Sequence, residues 1–297
     1  MRSRRMREAL EGYGFIAPWL LGFLCLTAWP IAFSVWISLQ QWNVLAPPMF
    51  VGLGNYQKLF TDDPLFWTSL GNTAYYAFAS VPLQLSLAMA LALLLNQKVK
   101  GLAFFRTVFY LPSIMSGVAT AMLWILLLNP EIGGINFVLR LLGMQNPPEW
   151  LISTTWAMPA LILMSTWSIG SMMLFFLAGL QGVPESLHDA AHVDGASAFT
   201  RFRHVTLPML TPTIFFNLVM AIIGSFQVFT QTYIMTGGGP ADSTLTYVLY
   251  LYRNAFEWFK MGYASALAWV LFGILVGMTL LVFRSSKLWV YYEGERA

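Results

Sequence analysis

Six long apolar blocks, free of Asp, Glu, Lys and Arg, divide the chain. They lie near residues 15–39, 69–95, 107–128, 156–180, 209–233 and 261–283. Each is long enough for a membrane span of about 20 residues. Lipid offers the backbone no hydrogen-bond partners, so blocks of this length are predicted to be helices rather than strands. The sequence therefore predicts an all-α integral membrane protein with six transmembrane helices in a single membrane domain, residues 1–297.

Cationic residues concentrate in alternate connections between these blocks. Lys and Arg resist translocation and mark the cytoplasmic side, so both termini and the segment 184–208 are predicted to be cytoplasmic. A signal peptide is the alternative for the basic start, but the first block is longer than a signal-peptide core and no small-x-small cleavage site follows it. The residues on the predicted inner side are Arg2, Arg4, Arg5, Arg7, Lys98, Lys100, Arg106, Arg201, Arg203, Arg284, Lys287 and Arg296, against Lys58, Arg140, Arg253 and Lys260 outside.

Composition agrees with a lipid environment. The chain is 58% hydrophobic and only 10% charged, which is too apolar for a soluble domain of this length. The net charge of +3 follows from the basic inner segments and does not indicate nucleic-acid binding. Cys25 is the only cysteine, so neither an internal disulfide nor a cysteine-cluster metal site is expected.

The predicted spans contain no ionisable acid or base. Carriers coupled to protons or sodium usually place Asp, Glu, His or Arg within the membrane, because those residues relay the ion. An ion-gradient carrier is therefore disfavoured, and the energy for any transport is expected to come from another source. An ATP-independent channel or secondary carrier for a neutral polar solute remains the alternative.

The fifth block carries a stripe of uncharged polar and small residues. Asn217, Met220, Gly224, Gln227 and Gln231 fall on about a quarter of a continuous helix. Amides in lipid need partners, and two interpretations stay open. They either hydrogen-bond to a neighbouring helix or line a pathway for a hydroxyl-rich solute.

Polar residues cluster in "HDAAHVDGASAFTRFRHVTLP", residues 188–208, which holds all three histidines. His188 and His192 have the i, i+4 spacing of a zinc-protease helix. Asp189 replaces the usual Glu of that motif, no third ligand is available in the spans, and the segment is predicted to lie outside the bilayer. Metal catalysis is therefore disfavoured, and no metal ligand or catalytic residue is predicted. A solvated interfacial helix is the simpler alternative.

The order of residues in this segment predicts more than a solvated helix. Pro184 suits a first helical position, and Gly195 suits the left-handed residue that ends a short helix. A second short helix over 196–203 is expected before Leu207 and Pro208 open the fifth span. The prediction is a rigid projection of two short helices on the cytoplasmic side.

The spacing Asp189-Ala190-Ala191, Gly195, Val205 and Leu207-Pro208 resembles the "EAA…G…I-LP" loop of bacterial ABC importer permeases, with Asp for Glu and Val for Ile. The stretches "FVGLGNYQKLF", "FFRTVFYLPSIMSGVATAMLW", "GGINFVLRLLG" and "FQVFTQTYIMTGGGP" resemble the carbohydrate-uptake branch of that family, the maltose and glycerol-phosphate type. The likeness covers nearly the whole chain. Thr230 departs from this likeness, since relatives often carry Asp at the position before the glutamine that is Gln231 here.

The resemblance implies a type I ABC importer transmembrane domain with its core at 69–284, in a bacterial or archaeal inner membrane. Such a chain is a transport subunit rather than an enzyme. It pairs with a second homologous permease, two ATP-binding subunits and an extracytoplasmic substrate-binding protein, and its solute is a sugar or a similar compound. ATP and Mg bind to the partner ATPase, and no cofactor is expected in this chain.

The resemblance also implies roles for individual residues. The cytoplasmic loop 184–208 would couple the chain to the ATPase, and the stripe in the fifth span would face the solute. The expected coupling residues are Glu185, Asp189, Ala190, Ala191, Gly195, Leu207 and Pro208. The expected pathway residues are Asn217, Gln227 and Gln231.

Overall fold

The computed structural model describes residues 2–97 and 100–291, and most of them are helical. Lys98 and Arg296, two of the cations used to predict orientation, lie outside the described residues, as do the ends of the predicted domain 1–297. Backbone contacts divide the chain into two units. The first holds the described residues up to Asp63 together with Leu251–Gly273, and the second holds Pro64–Tyr250 and the described residues from Ile274 onward.

The first unit begins with the first apolar block as one long helical run. Two helices joined by a π-helical turn form the continuous apolar stretch Gly12–Ser38. A two-stranded antiparallel hairpin follows, pairing Gln40 with Phe50, and then a short helix. The elements are α1 Arg2–Phe23, the π turn Leu24–Ala28, α2 Trp29–Ser38, β1 Gln40–Gln41, β2 Met49–Phe50 and α3 Gly54–Thr61.

Buried Asn55 fixes the hairpin to the end of α2. Its side-chain amide donates to the carbonyls of Ser38 and Gln40, both at 2.8 Å. Gly262 approaches the hairpin backbone so closely that a Cβ there would overlap the Gln40 carbonyl. Polar contacts hold the hairpin in place. The sequence therefore shows no periodic apolar signal for it.

Most of the remaining helices belong to the second unit, whereas Leu251–Gly273 belongs to the first. The elements that follow α3 are α4 Pro64–Leu95, α5 Leu102–Ile114, α6 Gly117–Leu127, α7 Gly134–Leu141, α8 Ala157–Ser165, a 3-10 turn Thr166–Ser168, α9 Gly170–Gln181, α10 Glu185–Val193, α11 Ala198–Arg201, a π turn Phe202–Thr206, α12 Leu207–Phe226, α13 Thr230–Met235, α14 Tyr247–Tyr252, a π turn Arg253–Glu257 and α15 Met261–Trp289.

Two of the six predicted spans are bent rather than straight. Among the described residues, four runs are long and apolar enough to cross a membrane: Gly12–Ser38, Pro64–Leu95, Ala198–Met235 and Met261–Trp289. Helices α5 and α6 meet at 101°, and α8 with its 3-10 turn meets α9 at 47°. The structure therefore has four candidate spans, or up to six if each bent pair is counted as one.

Side-chain hydroxyls bond back to the helix backbone at the bend after α8. Ser165 donates to the carbonyl of Ile162 at 2.6 Å, and Thr166 donates to that of Leu163 at 2.7 Å. Such back-bonding competes with the helix ladder and bends helices. Pro82 and Pro212 lie inside α4 and α12 without ending either helix.

Glycines bring α9 into close contact with its neighbours. A Cβ on Gly170 would lie 2.5 Å from the carbonyl oxygen of Phe109 in α5, and one on Gly179 would lie 2.6 Å from Oγ1 of Thr213 in α12. Small residues at these positions let helix backbones approach in an apolar environment. Because α9 leads directly to α10, this packing ties the segment 184–208 to the helices behind it.

Candidate functional site

The segment between α9 and α12 starts with a short helix that ends as the sequence predicts. Gly195 has φ of +77°, in the left-handed region. The Gly195 N–H donates to the His192 carbonyl at 3.0 Å, and the Ala196 N–H donates to the Ala191 carbonyl at 2.9 Å. These two bonds form a Schellman motif, which satisfies carbonyls left free at a helix end. Pro184 precedes the first helical residue, Glu185, instead of occupying that position.

The second predicted helix, 196–203, differs in the structure. The helix starts later, at Ala198, where Ser197 Oγ accepts the Thr200 N–H at 3.2 Å and caps it. It does not stop at residue 203 but passes through a π turn into α12. Pro208 has no N–H to donate, and the wider turn before it lets the helix continue. The projection is therefore one free-standing helix, α10, followed by an extension of the fifth span.

Most of the predicted coupling residues lie at the surface of the chain. The charged and small residues Glu185, Asp189, Ala190 and Gly195 are exposed, whereas Ala191, Leu207 and Pro208 are half-buried. A Cβ added to Gly195 would meet no atom within 4 Å. The chain itself therefore leaves free space beside this glycine.

Two apolar side chains on this segment escaped the sequence analysis. Val193 is 88% exposed and Phe199 is 70% exposed, one on each side of Gly195. The sequence shows both as apolar residues in a segment that also holds charged residues and three histidines, but it does not show their exposure. Contiguous apolar patches rimmed by polar residues mark interaction surfaces, whereas single exposed apolar side chains are common.

The histidines of this segment do not come together as a metal site within the described residues. His204 Nδ1 lies 3.1 Å from the Thr200 carbonyl, one turn back. Within residues 2–97 and 100–291, no group of three His, Cys, Asp or Glu side chains lies close enough together to hold a metal ion. His188 and His192 therefore have no third ligand in this part of the chain.

A cavity of about 540 Å³ lies in the second unit, among α4, α8, α9, α12 and α13. All five residues of the predicted stripe in the fifth span line it. The stripe does not lie on one continuous helix, however, because α12 ends at Phe226 and α13 begins at Thr230. The lining residues are Tyr76, Gln84, Met164, Ser165, Ser168, Ile169, Ser171, Met172, Phe175, Phe216, Asn217, Met220, Ala221, Gly224, Ser225, Gln227, Val228, Phe229, Thr230 and Gln231.

A side chain from the residue just before α14 stabilises this break in the fifth span. The buried Thr246 hydroxyl donates to the Val228 carbonyl at 3.2 Å, which replaces a bond lost from the helix ladder. Periodicity along residues 209–233 gives no sign of this, since the partner is 18 residues away. Broken helices whose freed backbone groups border a cavity are typical of transporter binding sites.

The amides that line the cavity are of two kinds. Asn217 is buried and donates to the Thr213 carbonyl at 3.0 Å, so its side chain also serves its own helix. No hydrogen bond to another described residue engages the side chains of Gln84, Gln227 or Gln231. Since amides in an apolar environment need partners, these three are available to a solute in the cavity.

Several polar lining residues were missed by the sequence analysis. Gln84 comes from α4, and its signal was an amide inside the second apolar block. Tyr76, also in α4, is buried and lines the cavity together with Ser165 at the bend after α8. Together with Ser168, these residues add amide and hydroxyl groups from outside the fifth span to the lining.

Charge is missing from the described lining of the cavity. None of its residues is Asp, Glu, Lys, Arg or His. The polar groups are amides and hydroxyls, which both donate and accept hydrogen bonds, while Met, Phe and Ile side chains supply the apolar remainder. The lining suits a solute that combines hydroxyl groups with apolar faces.

Comparison with known proteins agrees with this arrangement. The family model for the "binding-protein-dependent transport system inner membrane component" matches residues 65–288. The chain belongs to this family. It is therefore a transport component and a multi-pass membrane protein.

Relatives of this family member extend over almost its whole length. It is 46% identical over 298 residues to the probable ABC transporter permease protein YesP of Bacillus subtilis, covering 99% of this chain and 96% of YesP. It is 33% identical over 285 residues to the trehalose/maltose transport system permease protein MalF of Thermococcus litoralis, covering 95% and 96%. The arabinooligosaccharides permease AraP of Bacillus subtilis is 34% identical over 287 residues, covering 95% and 90%.

The fold of this permease is also that of a solved transporter. A chain in the crystal structure of a bacterial alginate ABC transporter, in complex with an alginate pentasaccharide-bound periplasmic protein, superposes with a TM-score of 0.84. The alignment covers 95% of this chain and 96% of that chain at 21% identity. The similarity establishes the type I ABC permease fold.

Proposed function

We propose that this chain is a permease subunit of an ATP-driven importer for a sugar or sugar-like solute. It works by alternating access, in which the cavity opens first to one side of the membrane and then to the other. It has six spans with both termini in the cytoplasm, and it resides in a bacterial or archaeal inner membrane. The bent pairs α5–α6 and α8–α9 each form one of these spans.

The lining of the cavity is the main support for this proposal. Three amides without protein partners, Gln84, Gln227 and Gln231, meet there beside breaks in two helices. Sugar hydroxyls both donate and accept, and an amide matches both functions. The permeases named above for trehalose, maltose and arabinooligosaccharides support a carbohydrate as the solute.

The remaining subunits follow from the same proposal. A second homologous permease completes the pathway, a substrate-binding protein delivers the solute from outside, and two ATPase subunits bind ATP and Mg. The segment 184–208 contacts one ATPase subunit through α10. Because α9 is packed tightly on α5 and α12, a push on α10 moves these helices together and changes the cavity.

Transport by the reconstituted importer tests the role of the cavity. The cognate substrate-binding protein first selects the solute from a panel of neutral and acidic oligosaccharides. Uptake into proteoliposomes is then measured for Gln231→Ala and Gln84→Ala, with Gln145→Ala as the matched control on an exposed loop. One lost hydrogen bond is worth about 0.5–1.5 kcal/mol, so each cavity variant should raise the half-saturating solute concentration about 2- to 12-fold.

Unchanged uptake by both cavity variants would show that these amides only pack. Vectorial uptake without the ATPase would instead establish the ATP-independent channel or carrier. Co-purification of the ATPase with each variant separates a transport defect from a loss of assembly.

A further inference from the structure

Helix α7 turns its polar side chains toward its own loop. Asn136 is 1% exposed, and its amide donates to the carbonyls of Pro130 and Pro148 at 3.2 and 3.1 Å. The same side chain accepts the indole N–H of Trp150 at 2.7 Å. Arg140 donates to the Pro130 carbonyl at 2.9 Å. The polar side of the helix is thus fully used by the loop that surrounds it.

The opposite side of α7 presents apolar side chains to its surroundings. Phe137 is 62% exposed and Leu141 is 72% exposed, and Val138 and Leu142 beside them are exposed as well. A helix at a water-facing surface has the reverse arrangement, with apolar residues inward and polar residues outward. The medium against this face of α7 is therefore apolar.

The position of α7 ties it to a membrane-crossing segment. The Gly133 N–H donates to the Asn129 carbonyl at 3.0 Å, just after α6 ends. A Cβ on Gly133 would lie 2.5 Å from the Leu127 carbonyl, so the start of α7 contacts the end of α6. Met122 and Leu126 on α6 are exposed apolar residues as well. Eight residues make a helix of about 12 Å, which is too short to cross the bilayer.

The chemistry of this face favours lipid over a protein partner. Protein interfaces are rich in Trp, Tyr and Arg and contain about ten hydrogen bonds. Here Trp150 donates to Asn136, and the exposed Arg140 donates to the loop carbonyls of Glu131 and Pro130. The face opposite Asn136 consists of aliphatic side chains and one phenylalanine ring. A helix with a purely apolar outer face next to a span is suited to the boundary between headgroups and acyl chains.

We propose that α7 is an interfacial helix seated in the lipid bilayer, with Phe137 and Leu141 among the acyl chains and Asn136 facing the protein. Ile135 of the same helix packs against the core cluster that includes the cavity residues Tyr76 and Val228. The lipid contact therefore also supports the wall of the cavity.

Site-directed spin labelling tests this placement. Cys25 is the only cysteine and is exposed, so Cys25→Ser gives a background for Phe137→Cys and Leu141→Cys. Gln145→Cys in the same loop is the matched control. The labelled full-length chain, assembled with its partner subunits, is placed in vesicles. Collisions of each nitroxide with oxygen, which enters lipid, are compared with collisions with a water-soluble nickel chelate.

Labels at 137 and 141 should show an oxygen-to-nickel collision ratio severalfold above that at 145. Equal ratios at all three positions would overturn the proposal, since the face would then be in water. In another outcome, the label at 137 collides freely with nickel until the substrate-binding protein is added and is then shielded from both reagents. That result would also overturn the proposal and would identify a protein-docking surface. Neither result depends on which solute is transported.

Discussion

Gly195→Asp separates folding of the chain from its contact with a partner. In the structure the glycine has φ of +77° and its missing Cβ faces open space. The substitution therefore costs only left-handed strain, about 1–2 kcal/mol at most, and Asp is among the residues that best tolerate that conformation. The variant is expected to insert in the membrane and to assemble its own helices normally.

The same carboxylate is costly if an ATPase surface packs against Gly195. A charge buried without a partner costs about 3–5 kcal/mol, which weakens the contact by about 10²- to 4 × 10³-fold. The docking penalty therefore exceeds the folding penalty. ATP-driven uptake in proteoliposomes should fall to background, while thermal unfolding of the isolated chain in detergent changes little.

Gly195→Asn is the matched control, because it has the same size and backbone tolerance without the charge. It should retain more uptake than the Asp variant if burial of charge is the cause. Normal ATP-driven uptake by Gly195→Asp would refute the coupling role of this glycine. A collapse in thermal stability with both variants would refute the strain argument instead.

Two further substitutions probe the packing around the cavity, both read out by thermal unfolding in detergent. Gly170→Ala places a Cβ 2.5 Å from the Phe109 carbonyl and should lower the free energy of unfolding by about 1–3 kcal/mol. Gly277→Ala is the control, because its Cβ meets no atom within 4 Å. Equal melting temperatures of the two variants would contradict the close contact. Thr246→Val removes the donor to the Val228 carbonyl. The carbonyl left without a partner should lower the free energy of unfolding by about 1–3 kcal/mol. A melting temperature like that of the wild type would show that the break in the fifth span does not need this hydrogen bond.

Periodic and local signals in the sequence predicted the helical class and the end of α10. Long apolar blocks can only be helices in lipid, and a glycine after a short helix predicts the left-handed residue found at Gly195. The five residues of the stripe in the fifth block line one cavity, although the helix that was expected to carry them is broken between residues 226 and 230. These features depend on residues close together in the chain.

Features that depend on distant residues were not predictable in the same way. The break at residues 227–229 is stabilised by Thr246, and the hairpin of the first unit is held by Asn55. Further polar lining of the cavity comes from Tyr76, Gln84 and Ser165, which lie in other blocks. The sequence shows that such polar residues are present in apolar blocks, but only the fold shows which of them meet.

The exposed pair Val193 and Phe199 has a consequence for how the subunit is made. In a copy without its partner, both side chains would stand in water, next to a helix end that nothing covers. Chaperones and proteases continuously act on incompletely folded proteins in the cell. The surface proposed for ATPase contact would thus also mark unassembled subunits for removal, which matches the amount of permease to the amount of its partner.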